Sequence, residues 1–306
     1  MKYLFSLLFI FTFSFSQEMI TPIPLKIDID IDKALLGKKL FNDKRLSKNN
    51  TISCASCHFI NEGGDNNLTF AIGVNGQSTT RNTPTVLNST FNSTQFWDAR
   101  AKNLEEQVKS SIVNPIEMGS TFEEITSKLN NDKNYLMEFQ TIYKNGITKE
   151  TIANAIAEYQ NTLITPNSKF DKYLRGNINI LSQKEIEGFI LFKKYGCISC
   201  HNGVNVGGNL IQKIGINEVF ETNDLGRYAI TNNLNDKFYF KVPTLRNIEL
   251  TAPYFHDGSI PTLKKAIEKM AYHQIGYKLD DEKINKIELF LKTLSAKVMK
   301  IDKNDE

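Results

Sequence analysis

The chain has 306 residues, with 37 Lys and Arg against 34 Asp and Glu and a formal net charge of +3. That near-balance argues against nucleic-acid binding, which usually shows a strong basic bias. The length is large for a single core and suits two domains of ordinary size.

A positive start, Met1-Lys2, an apolar stretch from Leu4 to Phe15, and the small residues Ser14 and Ser16 describe a secretory signal peptide over 1–16. The stretch falls short of the roughly 20 apolar residues a membrane-spanning helix needs. No cysteine follows it to carry a lipid. The mature protein is expected to be periplasmic, without a membrane anchor.

Two five-residue signatures come next, Cys54-Ala-Ser-Cys57-His58 and Cys197-Ile-Ser-Cys200-His201, and together they use all four cysteines. The pattern C-x-x-C-H marks covalent c-type haem attachment. The thiols add to the porphyrin vinyl groups and the histidine coordinates the iron. Four cysteines also allow two disulfides in three connectivities, and paired C-x-x-C motifs can hold zinc. A zinc ribbon, however, spaces its pairs by roughly 15–20 residues, and a thioredoxin-like motif needs a βαβ setting. Neither fits this chain.

The signatures share a context. Gly37-Lys-Lys-Leu-Phe41 precedes the first and Gly188-Phe-Ile-Leu-Phe192 the second, while Gly63-Gly64 and Gly207-Gly208 follow. This pattern suggests a duplicated cytochrome c architecture. Between the motifs, Ile152, Ala155, Ile156, Tyr159 and Leu163 follow helical spacing. Thr121 to Glu124 and Ser182 to Glu185 fit capping boxes. The stretch Thr165-Pro166-Asn167-Ser168 is the best boundary, giving haem domains over 17–165 and 166–306, with the last residues able to pack back on the first domain. Ile284, Ile287, Phe290, Leu291 and Leu294 form a final apolar stripe behind Asp280, Asp281 and Glu282. No run of alternating strands is evident. The expected fold is mostly α, with two cytochrome c-like haem domains in tandem.

A haem in an electron carrier needs a second axial ligand, and Met raises its potential. Met270 lies on a helical pattern with Leu263 and Ile267 and is favoured for the second haem over His256 and His273. An ordinary core methionine would show the same spacing. The first haem has no histidine in its half other than His58. Its far side is therefore open, or filled by a weak ligand such as Met118.

The stretches Arg81-Asn-Thr-Pro-Thr85, Gln95-Phe-Trp-Asp-Ala-Arg100, Leu104-Glu-Glu-Gln107 and Asn114-Pro-Ile-Glu-Met118 resemble the bacterial di-haem cytochrome c peroxidase family. So do Phe240 to Asn247 and Thr251 to Gly258. The resemblance runs from about Leu36 to Leu294. It implies reduction of hydrogen peroxide to water, with electrons from a soluble cytochrome c or a small copper protein. The haem on His58 would be peroxidatic, and the haem on His201 and Met270 would receive electrons. Glu117 would be the acid–base catalyst with Gln107 beside it, and Trp97 would lie on the electron path. Asn82, with the carbonyls of Thr251 and Pro253, would hold one calcium ion, and His256 would lie near the haem interface. A homodimer is a further expectation.

One departure matters. Val74 stands where many family members carry a histidine that blocks the peroxidatic iron until the other haem is reduced. Valine cannot ligate iron, so the oxidised enzyme is expected to be competent already. Two other readings remain open at this stage. One is a di-haem electron carrier with Met118 on the first iron. The other is a di-haem oxidase of a protein or organic substrate, a branch that resembles tyrosine ligation and for which Tyr272 is the candidate.

Overall fold

A computed structural model describes residues 19–300; the signal-peptide segment lies outside them. Among the described residues the chain forms ten α-helices and one two-stranded sheet. The helices are α1 (Ile31–Phe41), α2 (Leu104–Val113), α3 (Phe122–Asn130), α4 (Lys133–Ile142), α5 (Lys149–Asn161), α6 (Lys169–Leu174), α7 (Gln183–Lys194), α8 (Tyr228–Thr231), α9 (Leu263–Ile275) and α10 (Asp281–Lys292). The mostly helical fold expected from the periodicity is present. A short antiparallel pair, β1 (Ile211–Lys213) and β2 (Tyr239–Lys241), is an addition. Its strands are too short and too far apart in sequence to produce a readable alternation.

Local chemistry sets the helix ends. Thr121 and Ser182 form the capping boxes with Glu124 and Glu185, satisfying otherwise unpaired N–H groups at the starts of α3 and α7. Asp280 caps α10 by accepting from the Lys283 N–H. α5 stops at Asn161, earlier than its apolar spacing suggests, where the Thr162 hydroxyl donates to the Tyr159 carbonyl. Leu163 lies past the helix yet still packs in the core.

Two apolar cores result. One gathers α1–α5, including Leu36, Leu40, Phe41, Ile125, Phe139, Ile152 and Leu163. The other gathers Phe170, Phe189, Phe192, Ile267, Ile287 and Phe290 from α6, α7, α9 and α10. Each core is built on a helix pair crossing at a glycine. A Cβ on Gly37 in α1 would lie 1.8 Å from the Ala155 carbonyl oxygen of α5. A Cβ on Gly188 in α7 would lie 1.9 Å from the Lys286 carbonyl oxygen of α10. The repeated Gly-x-x-x-Phe is therefore a packing device. Glycine lets the helices touch, and the phenylalanine one turn later reaches the cavity described below.

The two ends of the described segment cross over. Ile20 packs in the second core, not with the first-domain residues that follow it. Arg246 and Asp171, both fully buried, pair at 2.7 Å. The same guanidinium donates to the Thr21 and Val204 carbonyls, and Asp171 accepts from the Ile23 N–H. At the other end Val298 packs on the first core and the Met299 N–H donates to the Ile164 carbonyl. Among the described residues no helix is long and apolar enough to cross a membrane.

Candidate active site

The two halves enclose one cavity of about 1020 Å³, lined at one end by Cys54, Cys57 and His58 and at the other by Cys197, Cys200 and His201. Each motif opens with a short 3-10 turn, Cys54–Ser56 and Cys197–Ser199, that brings its cysteines and histidine to the cavity wall. All four thiols are unpaired. Burial pushes Cys54 up to about 12 and Cys197 up to about 11, so both stay neutral.

The histidines fit an iron centre. Burial lowers the pKa of His58, and lowers that of His201 to about 4, which keeps each imidazole neutral and able to ligate. His58 Nδ1 lies 2.9 Å from the Gly64 carbonyl, which fixes the tautomer that leaves Nε2 free for a metal. His201 Nδ1 is buried without a partner, with the backbone of Val206 and Pro243 beside the ring. Paired thiols, neutral histidines and a largely apolar cavity suit two covalent haems.

Glu117 and Gln107 lie on the cavity wall, carried by α2 and the turn that follows it. Asn103 caps α2 and Asn114 ends it. Asn114 then holds the turn together: its Oδ1 accepts from the Ile116 N–H, and its Nδ2 donates to Glu117 Oε1 at 2.7 Å. Behind the turn, the Glu117 carbonyl accepts from the Val74 N–H. A Cβ on Gly73 would lie 2.0 Å from the Ile116 oxygen, so only glycine permits this close approach. Val74 is buried, with its side chain against Gly119. Met118 lines the cavity as well, but is buried in the first core.

Burial raises the Glu117 pKa, while Ser111, the Arg100 guanidinium and Asn114 hold it back. The Glu117 charge in turn pushes the Cys54 and Cys57 thiols up, which puts it electrostatically at the His58 end. Gln107 Nε2 donates to Ser111 Oγ at 3.1 Å, and Gln160 Nε2 from α5 donates to Gln107 Oε1 at 3.3 Å. Gln160 thus orients the Gln107 amide. Sequence reasoning missed Ser111, Asn114, Arg100 and Gln160. Asn114 sits inside a quoted motif, whereas Gln160 reaches Gln107 only through helix packing.

Trp97 lies where the halves meet. Its Nε1 donates to the Asn82 carbonyl at 2.9 Å, and its own carbonyl accepts from the Lys241 N–H at 2.7 Å. Its ring meets His256 edge-on, with centroids 6.4 Å apart. His256 stacks on Phe240 and bonds Thr222 through Nε2, so it is held within the interface. Met270 lines the cavity, while His273 and Tyr272 do not; His273 Nδ1 lies 3.2 Å from the Glu218 carbonyl instead. Asn82, Thr251 and Pro253 all line the cavity, and the Asn82 amide nitrogen is committed to the Leu68 carbonyl.

The chain is similar to known proteins in sequence and in fold. A profile of the di-haem cytochrome c peroxidase family matches residues 31–179. The cytochrome c551 peroxidase of Nitrosomonas europaea is 48% identical over 268 residues, covering 87% of this chain and 80% of that protein. The cytochrome c551 peroxidase of Pseudomonas aeruginosa is 38% identical over 275 residues, covering 87% of this chain and 80% of that one. Among solved structures, a MauG-like protein associated with microbial copper homeostasis superposes with a TM-score of 0.80 at 28% identity, covering 94% of this chain and 96% of that one. With the fold, the paired haem motifs and the cavity in agreement, the chain is an enzyme of the bacterial di-haem cytochrome c peroxidase family.

Proposed function

We propose that this enzyme reduces hydrogen peroxide to two waters in the periplasm, using two electrons delivered singly by a reduced cytochrome c or a small copper protein. Haems held at His58 and His201 would supply the redox chemistry. Met270 would help hold the haem iron at the His201 end, a role favoured by its place on the cavity wall. The observation that carries the reading is the partly buried Glu117 carboxylate on the cavity wall, held by Asn114 in the same half as His58.

Glu117 takes a proton from one peroxide oxygen and returns it to the other, so that the O–O bond breaks with water as the leaving group. A carboxylate with a raised pKa suits both halves of that transfer. Gln107, oriented by Gln160, presents its amide to the same space and contributes a neutral donor. Trp97, hydrogen-bonded to both halves, gives electrons a conjugated route between the two ends. Val74 offers no ligand, so peroxide needs no prior reduction of the enzyme to gain access. One calcium ion at Asn82 and the carbonyls of Thr251 and Pro253 would brace the interface, since calcium accepts backbone and amide carbonyl oxygens and completes its six to eight ligands with water. A homodimer is carried over from the family resemblance.

The test is peroxide consumption with a reduced cytochrome c or copper protein, assayed with and without pre-reduction. Turnover in both conditions supports the proposal. No turnover in either favours the electron-carrier reading, in which Met118 closes the first haem.

A further inference from the structure

The two halves repeat more than their haem motifs. Arg81-Asn82-Thr83-Pro84-Thr85 and Asn88 align with Phe240-Lys241-Val242-Pro243-Thr244 and Asn247, and Phe96-Trp97-Asp98-Ala99 aligns with Phe255-His256-Asp257-Gly258. The backbone repeats with them. Phe96 and Phe255 have φ of 66° and 70°, Ala99 and Gly258 of 57° and 59°, and Asn88 and Asn247 both of 59°. The pairing across the interface is reciprocal: the Asn82 N–H donates to the His256 carbonyl at 2.8 Å, and the Lys241 N–H donates to the Trp97 carbonyl at 2.7 Å. Asn82 and Lys241 therefore hold equivalent places about a pseudo-two-fold axis.

Both places are buried and line the cavity, but they differ in charge. Lys241 is 6% exposed, and its ammonium has no hydrogen-bond or ion-pair partner among the described residues. A buried ammonium without an anion is strongly unfavourable. Desolvation alone draws its pKa down to about 8. The acids on the cavity wall are engaged elsewhere, Asp98 with Arg81 and Arg100, Asp224 with Arg81, and Glu117 with Asn114. Arg81 and Arg100 belong to those pairs, and Lys213 is exposed. The cavity thus holds one buried cation waiting for an anion that the described residues do not provide.

We propose that the Lys241 ammonium pairs with a propionate carboxylate of the haem attached at Cys197 and Cys200. That haem is the nearer one, because Pro243, two residues further along the chain, borders the His201 ring. The Lys241 charge stabilises the reduced form of the haem, as an electron-receiving centre requires. Asn82, at the equivalent place, is the proposed calcium ligand, so in each half a cation would occupy the same position. The inference rests on the presence of two haems, which a haem count tests separately.

Pyridine haemochrome absorbance of the holoprotein establishes two haems per chain. Spectroelectrochemical titration then compares wild type with Lys241→Gln and Lys241→Arg. The glutamine variant is expected to lower the reduced-to-oxidised ratio of the His201-side haem about tenfold at fixed potential, equivalent to about 59 mV for one electron. The arginine variant should stay close to wild type. An unchanged ratio in a fully loaded glutamine variant overturns the pairing, as does a shift confined to the His58-side haem or an arginine variant that falls as far as glutamine. If the glutamine variant does not load both haems, resonance Raman of the wild type decides. A propionate-bending band that moves on exchange into D2O is expected, and one that does not move overturns the pairing.

Discussion

Replacing Asn114 by alanine removes a hydrogen bond to the Glu117 carboxylate, the 2.7 Å contact from Asn114 Nδ2 to Oε1. A hydrogen bond to a charged group contributes about 1.5–3 kcal/mol. Its loss destabilises the carboxylate by up to that amount and raises the Glu117 pKa further, on top of the upward push of burial. Glu117 must be ionised to take the first proton from peroxide, so activity falls as pH drops through its pKa. The acid limb of the kcat/KM profile should move to higher pH in Asn114→Ala, with the plateau at higher pH largely kept. Glu117→Gln is the control. It keeps an amide oxygen toward Asn114 but cannot carry the proton, and should lose about 100- to 10,000-fold in kcat/KM at every pH while the haem absorption spectrum stays unchanged. An acid limb that stays put or moves to lower pH in Asn114→Ala would refute the assignment of Glu117 as the titrating base.

Two other perturbations probe the frame around the site. Met270→His should lower the potential of the His201-side haem, because a thioether ligand raises it relative to imidazole; an unchanged potential and near-infrared spectrum would exclude Met270 as the ligand. Gly188→Ala places a Cβ 1.9 Å from the Lys286 carbonyl oxygen, so α7 and α10 must move apart. Such overpacking costs about 1–3 kcal/mol or more, and thermal unfolding of the holoprotein should show a Tm several degrees lower, whereas an unaltered Tm would mean the crossing is looser than described.

Much of the site is legible in the sequence where chemistry is local. The C-x-x-C-H pattern fixes two thiols and a histidine within five residues. The capping boxes at Thr121 and Ser182 depend only on a residue three positions on. Features set by distant contacts are not legible in this way. Lys241 reads as one more surface lysine until β2 places it beside the Trp97 carbonyl. Gln160 looks like a polar residue on an amphipathic helix until α5 brings it to Gln107. Ile20 and Ile23 precede α1, yet Ile20 joins the second core and the Ile23 N–H donates to Asp171, itself paired with the buried Arg246. A signal for the pseudo-two-fold was present, in the recurrence of Pro-Thr before an asparagine and of Phe-x-Asp. Its meaning emerges only when the two copies exchange backbone hydrogen bonds.

The most direct measurement of the central claim is the first-turnover rate of fully oxidised enzyme mixed with peroxide and reduced donor in a stopped-flow instrument, beside the same enzyme pre-reduced by one electron. With valine at position 74, the place proposed for a blocking histidine, and no histidine in the His58 half other than His58 itself, a high-spin ferric signal in the oxidised protein and turnover without a lag are expected. A fully low-spin oxidised spectrum, with turnover only after pre-reduction, would contradict it.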